Sequence, residues 1–311
     1  MPHPGRMDAD PGYDAVRRFI VENQSVRGQW VRLGEAWREL CANSEYPAAV
    51  RALLGEAVAA SVLLAATLKF QGRLTLQLNG EGAVRLMVAQ CTHQFGVRAV
   101  AHYDEALAAK ISGELARGEA FRALTGGGGR FTVTVEADER NLRYQGIVPL
   151  AGASLAESLE DYFNASEQLP TRVRLAGDAG RCAGLLIQKL PGTDRNQACT
   201  AWPAAQRAVA RLGPATLLEQ PVEPLLCGLL PDYDVRLFRA SPVVFECRCG
   251  EGRVTSLLRA LGAQEVRSIL AEEGAVTVTC EFCGRPYRFD AQAVDALFTH
   301  PGTGEAPALI H

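Results

Sequence analysis

Two close pairs of cysteines near the C-terminus constrain this chain more than anything else in it. Cys247 and Cys249 flank Arg248, Cys280 and Cys283 flank Glu281-Phe282, and thirty residues (250–279) separate the pairs. Two thiolate pairs brought together by an intervening folded unit are how a tetrahedral four-sulfur zinc site is built. Gly250 and Gly284 each follow the second cysteine of a pair. Glycine there is expected to let the backbone turn tightly and aim amide N–H groups at the sulfurs. The Cys-x-x-Cys-Gly half is a familiar knuckle, whereas Cys-x-Cys is rarer in purely structural sites. A one-residue spacer closes a disulfide only as a small, constrained ring, and strained disulfides are labile. Zinc-bound thiolates are already deprotonated, so an oxidant attacks them once they are accessible. Oxidation into two local disulfides would remove all four ligands together. Zinc binding contributes roughly 10–16 kcal/mol to a small metallo-domain, so its loss should unfold the surrounding unit. A redox switch with an unfolding output follows from this chemistry. A static zinc ribbon, of the kind that binds RNA or mediates contacts, fits the same spacing. Six arginines face six acidic residues over 247–290, which is no electrostatic footprint for phosphate and argues against nucleic acid.

The other five cysteines (Cys41, Cys91, Cys182, Cys199 and Cys227) lie scattered, and the total of nine is odd. The start, MPHPGRMDAD, has no apolar segment behind a basic one, so no secretory signal is read there and a cytoplasmic protein is expected. A structural disulfide framework is then disfavoured, and the cysteines outside the pairs read as buried small hydrophobes. The longest apolar stretch, 57–68, contains Ser61 and Thr67 and stops at Lys69, which reads as too short for a membrane span. With 311 residues, 48% of them hydrophobic, the chain can fill a large core. Its net charge of −3 supplies no drive toward nucleic acid or an anionic membrane.

Along the chain, residues 13–190 read as one mixed N-terminal domain. Residues 14–20 suggest a short helix and 29–33 an opening strand. From 47 to 70 the pattern is helical and becomes apolar all round, so a central buried helix is expected, with Pro47 in its first turn. Leu74, Leu76 and Leu78, the Asn79-Gly80 turn, then Val84, Leu86 and Val88 signal a hairpin. Phe131, Val133 and Val135 should pair with 142–148. Ser154 and Glu157 form a capping box, and 172–175 and 183–190 read as further strands. Hairpins without regular βα alternation make the fold class α+β. Residues 191–242 hold seven of the sixteen prolines, which forbids one long helix or a central strand. The leucine pairs 217–218, 225–226 and 229–230 are too apolar for a flexible linker. This linker is read as short helical pieces packed weakly on something else. A small zinc-binding domain at 243–297 and a tail at 298–311 complete the chain.

Little else carries chemistry. The glycine run 126–129 lacks a following Gly-Lys-Ser/Thr and reads as a turn. His93 and His102 have no nucleophile motif nearby and are taken as surface or hairpin residues. Asp161, with Glu157 and Glu160, reads as a solvated helix face. Nothing argues for an enzyme. A thiol–disulfide oxidoreductase is disfavoured because Cys280 and Cys283 lie outside a βαβ context.

Several runs together resemble the redox-regulated 33 kDa chaperonin family of bacterial heat-shock holdases. They are Val26-Arg27-Gly28, Tyr46-Pro47, LAATLKF at 64–70, TLQL at 75–78, EDYF at 160–163 and SEQLPTR at 166–172, then FECRC at 245–249, SILAE at 268–272 and CEFCG at 280–284. The resemblance implies a reduced form that holds one zinc ion on Cys247, Cys249, Cys280 and Cys283 and is a poor chaperone. Under oxidative stress combined with an unfolding stress, Cys247 would pair with Cys249 and Cys280 with Cys283. Zinc would leave, and the zinc domain and linker would lose structure. The opened protein would hold unfolding client proteins without ATP, dimerise, and pass clients to ATP-dependent refolding chaperones once reduced. Cys199 and Cys227, inside the linker, are expected to become exposed on opening and are open to mixed disulfides.

Overall fold

A computed structural model describes residues 14–111, 117–137, 142–150, 152–191 and 199–299. The first thirteen residues, on which the absence of an export signal was read, lie outside the described residues. So do 192–198 of the proline-rich segment and 300–311 of the tail. In chain order the elements are β1 (Ala15–Val21), β2 (Val26–Leu33), α1 (Glu35–Cys41), α2 (Ala48–Thr67), β3 (Gly72–Asn79), β4 (Val84–Thr92) and β5 (Gly96–Tyr103). Next come α3 (Glu105–Ala108), α4 (Arg117–Thr125), β6 (Arg130–Ala137), β7 (Leu142–Pro149), α5 (Leu155–Tyr162), β8 (Thr171–Gly177) and β9 (Cys182–Lys189). The proline-rich segment supplies α6 (Ala201–Arg211), α7 (Pro214–Glu219), α8 (Val222–Leu229), β10 (Val235–Leu237) and β11 (Ser241–Pro242). Last are β12 (Val244–Phe245), α9 (Glu251–Leu261), α10 (Ala263–Glu273), β13 (Val276–Thr279), β14 (Pro286–Phe289) and α11 (Ala291–Thr299). The chain divides into two compact units, Met1–Glu246 and Cys247–His311.

In the first unit α2 runs between two six-stranded sheets. One has the order β10-β1-β2-β9-β8, with β11 also on β1; the other has the order β12-β5-β4-β3-β6-β7. All pairings are antiparallel except β12 with β5, so the α+β expectation holds. Fourteen of the residues of α2 are buried, because each of its faces meets a sheet. The helix begins at Ala48, with Pro47 as N-cap, one position before the expected first turn, and the Pro47 carbonyl accepts from the Arg51 N–H at 2.9 Å. At twenty residues it is long and apolar enough to cross a membrane, which corrects the reading of 57–68 as too short. Its burial between the sheets accounts for that composition. Close approach to the first sheet depends on glycine: a Cβ at Gly177 would sit 2.5 Å from the Ala52 carbonyl oxygen.

The second sheet packs one face against α2, and β3 alternates buried and half-buried residues along its length. The β3–β4 and β6–β7 hairpins form as expected. The first sheet is covered on both faces. Val16, Val31, Leu33, Val173 and Leu186 face α2, while Phe19, Val26, Trp30, Leu185 and Ile187 face a second core. That core is completed by Trp202, Val209, Leu217, Leu218, Leu225 and Leu226 of α6, α7 and α8.

Where a helix was expected over 14–20, the structure has β1, Ala15–Val21. The Asp14 carboxylate caps α1 by accepting from the N–H groups of Gly34 (2.7 Å) and Glu35 (3.0 Å). Asp14 itself has φ +53. Ser154 caps α5 as expected by accepting from the Glu157 N–H, while the Glu157 carboxylate closes the box on the Ala153 N–H. Glu157 and Asp161 are exposed, but Glu160 is not part of a solvated face. Its carboxylate accepts from the Val173 N–H at 2.8 Å and from Arg172 at 3.0 Å, protecting the edge of β8.

Candidate metal centre

The second unit brings together two cysteine pairs that are far apart in sequence. Cys247 and Cys249 precede α9; Cys280 and Cys283 lie in the turn between β13 and β14. β13 and β14 pair antiparallel from Val276 with Phe289 to Thr279 with Pro286, and the turn is closed by Cys280 N–H to Arg285 carbonyl at 2.9 Å and Gly284 N–H to Cys280 carbonyl at 2.7 Å. Gly284 has φ +67, the left-handed conformation that glycine adopts without cost. Gly250 differs from expectation. With φ −173 it is extended, and it acts as the N-cap of α9 instead of forming a tight turn.

The four sulfurs all lie within 4.8 Å of one another. Cys247 Sγ is 3.7 Å from Cys280 Sγ, and Cys249 Sγ is 3.4 Å from Cys283 Sγ. A tetrahedral zinc site with Zn–S bonds of about 2.3 Å has sulfur–sulfur edges of about 3.8 Å, so these residues fit such an ion. Backbone amides also serve the sulfurs: the Cys249 N–H bonds Cys247, and the Arg285 N–H bonds Cys283. The Tyr287 hydroxyl donates to Cys249 Sγ at 3.1 Å. Nothing in the spacing of the cysteines marks that tyrosine. Its signal is its place on β14, four residues beyond Cys283.

Four sulfurs at this separation do not ionise independently. Burial opposes ionisation of Cys249, but hydrogen bonds from Tyr287 and from the Cys283, Cys247 and Cys280 thiols outweigh it and bring Cys249 down to about 7. Burial pushes the Cys283 thiol up to about 12, and its hydrogen bonds to the other sulfurs add to that. Cys247 is also raised, first by burial. Cys249 carries charge most readily while Cys247 and Cys283 hold their protons more firmly, and a divalent cation displaces those protons when it binds.

The remaining sequence candidates lie elsewhere. Cys41, Cys91 and Cys182 are buried, and burial raises their thiol pKa values, Cys41 to about 11, which makes them unreactive. Cys199 is half-buried against the linker core. Cys227 is already exposed with the linker docked, so opening is not needed to reveal it. His93 accepts the Gly72 N–H at 3.0 Å beside the β3–β4 hairpin, and His102 is exposed. The glycine run 126–129 packs against a carboxylate: a Cβ at Gly128 would meet Glu81 Oε2 at 2.5 Å. That is the wrong charge for a phosphate loop.

Among known families, the model described as "Hsp33 protein" matches residues 14–290. A protein named 33 kDa chaperonin from Nitrosococcus oceani is 40% identical over 286 residues, covering 92% of this chain and 94% of its own. One of the same name from Chromobacterium violaceum is 39% identical over 300 residues, covering 96% and 98%. The crystal structure of the 33 kDa chaperonin of Thermotoga maritima superposes with a TM-score of 0.76 at 22% identity, covering 91% of this chain and 97% of that one. That likeness shows the fold.

Proposed function

Because this chain belongs to the Hsp33 family, whose members are chaperones, we propose that it is an ATP-independent holdase held inactive by zinc on Cys247, Cys249, Cys280 and Cys283 and activated by their oxidation. The observation that carries the reading is the set of four sulfurs at tetrahedral spacing in a unit with little core of its own. Only Val254, Leu258, Val266, Val276, Phe289, Val294 and Leu297 form the buried cluster among its described residues. A zinc ion bound there would tie the two halves of the unit together and keep all four thiols deprotonated.

Oxidation by a hydroperoxide balances as two electrons per disulfide. One thiolate attacks the peroxide oxygen, giving a sulfenic acid and water; its neighbour displaces a second water and forms the S–S bond. Two such events, pairing Cys247 with Cys249 and Cys280 with Cys283, remove every donor and release the zinc. The unit then has too few apolar contacts to stay folded. Unfolding of the unit frees the C-terminal end of the linker, because Cys247 follows β11 and β12, strands of two residues each, and the accompanying unfolding stress then releases the helices. Undocking of α6, α7 and α8 uncovers Phe19, Trp30, Leu185 and Ile187 together with the linker leucines, an apolar surface of the kind that binds unfolding proteins. Dimerisation on activation, transfer of clients to ATP-dependent chaperones and a cytoplasmic location belong to the same proposal.

The test follows zinc release and far-UV circular dichroism while the reduced protein meets hydrogen peroxide at mildly raised temperature. The expected result is one zinc released per chain, loss of helix, and a product that prevents light scattering by a denatured client. Retained zinc with unchanged dichroism would leave a static zinc ribbon and end the holdase reading.

A further inference from the structure

The Tyr287 hydroxyl is held at the sulfur cluster from a strand, not from a loop. Tyr287 sits on β14 opposite Val278 of β13, and its ring packs against the small core of the second unit. Its oxygen has two neighbours: the Arg285 side chain, with which it shares a hydrogen bond, and Cys249 Sγ at 3.1 Å. A guanidinium has only donors. Arg285 therefore occupies a lone pair of the phenol oxygen, and the single phenolic proton is left for the sulfur.

Hydrogen bonds to a thiolate withdraw electron density from the atom that attacks an oxidant. We propose that Tyr287 is a positioning residue of the sulfur centre, whose O–H···S bond restrains Cys249 as a nucleophile and so sets how readily the centre is oxidised. This rests on the redox-switch reading above. The step restrained is attack of the Cys249 thiolate on a hydroperoxide oxygen. The O–O bond breaks, the distal oxygen leaves as hydroxide and takes a proton from solvent, and Cys249 becomes the sulfenic acid. The Cys247 sulfur then displaces that oxygen as water to close the disulfide. The negative charge on Cys249 falls as the S–O bond forms, so the hydrogen bond is stronger before attack than during it and slows the reaction.

The experiment compares the zinc-loaded full chain with Tyr287→Phe under excess hydrogen peroxide, following zinc release and loss of free thiols. Zinc affinity is measured by chelator competition, and the cobalt-substituted form reports sulfur-to-metal charge transfer. The expected result is oxidation faster by roughly three- to tenfold, with unchanged dichroism, nearly unchanged zinc affinity and a charge-transfer band moved to longer wavelength. A merely structural tyrosine would change affinity and dichroism without moving that band. Equal rates overturn the proposal; slower oxidation overturns it too and makes the hydroxyl the proton donor to the leaving hydroxide. If the wild-type protein keeps its zinc in peroxide, the switch reading falls and takes this role with it. Should Tyr287→Phe fail to fold, Tyr287→Met removes the hydroxyl while keeping an apolar side chain on β14. Faster oxidation is expected there as well, and an unchanged rate overturns the proposal.

Discussion

At the scale of single residues, the sulfur cluster was legible in the sequence because ligand spacing is local and the chemistry of thiolates is specific. What distance adds is that proximity does not choose the disulfides. The close sulfur contacts, Cys247 with Cys280 and Cys249 with Cys283, run across the two halves, whereas the proposed pairs lie within them. Chain entropy selects: once the unit unfolds, closing a one- or two-residue spacer costs less than closing a loop of about thirty residues. Peptide mapping of the peroxide-treated protein should therefore recover Cys247–Cys249 and Cys280–Cys283; cross-pairs would staple the unit shut and contradict an unfolding output. Glu160 was not legible, because the strand edge it protects lies twelve or more residues away in sequence. Burial raises its pKa, against the lowering effects of the Val173 N–H, Arg172 and Arg174. For a carboxylate raised on folding, the stabilising contribution is present below the unfolded pKa, near 4.3, and is lost as pH rises through the folded value. Denaturant unfolding of wild type and Glu160→Gln from pH 4 to 7 should show wild type losing stability relative to the variant as pH rises. A difference that stays flat, or grows the other way, would mean the arginine pairs outweigh burial.

Elements were readable where one face is wet and ambiguous where both are covered. β3 alternates because only one face of its sheet meets α2; β9 is buried at seven successive positions because α2 lies on one face and the linker helices on the other. β1 turns Val16 toward α2 and Phe19 toward the linker helices, so its apolar residues do not alternate cleanly. The linker helices explain their own weakness. None of α6, α7 and α8 has a side-chain N-cap bond of its own, and the first sheet supplies polar partners instead. Gln24 accepts the Ala201 N–H at 3.1 Å, Arg174 donates to the Ala210 carbonyl at 3.3 Å, Arg32 donates to the Glu219 carbonyl at 3.0 Å, and Arg17 pairs with Glu223. Helices capped from outside lose their caps when they leave, so docking and helicity go together. The closed state also buries the Trp30 indole N–H without an acceptor, at a cost of about 1–3 kcal/mol that opening removes. Arg32 is 2% exposed and stacks over Trp30 at 5.4 Å. Arg32→Ala should weaken linker docking by roughly 1.5–3 kcal/mol, read as faster hydrogen exchange in residues 201–230 of the reduced, zinc-bound protein. Unchanged exchange would mean apolar contacts alone hold the linker.

At the scale of the whole molecule, the chain divides at Cys247, four residues beyond the start of the zinc-binding domain expected from the sequence, because β12 pairs with β5 of the first unit. The attachment of residues 199–242 to the first unit was visible only as an apolar excess in search of a surface, since their partners are residues 15–33 and 171–189. Linker release and loss of zinc are therefore separable events, and the chain carries its own reporter for the difference. Of its three tryptophans, Trp30 and Trp202 lie at the interface between sheet and linker, while Trp37 is in the core around α2. Chelation under reducing conditions at low temperature removes the ion without forming disulfides. It should abolish the dichroism of α9, α10 and α11 while tryptophan emission stays blue, because the linker's apolar contacts with the first sheet remain. On warming, emission should shift red in a first transition below that of the core, and client holding should appear with that shift and not with zinc loss. A red shift immediately on chelation would mean that the second unit holds the linker in place. A shift delayed until the core melts would make α6, α7 and α8 part of a single cooperative fold, with no separate element to release.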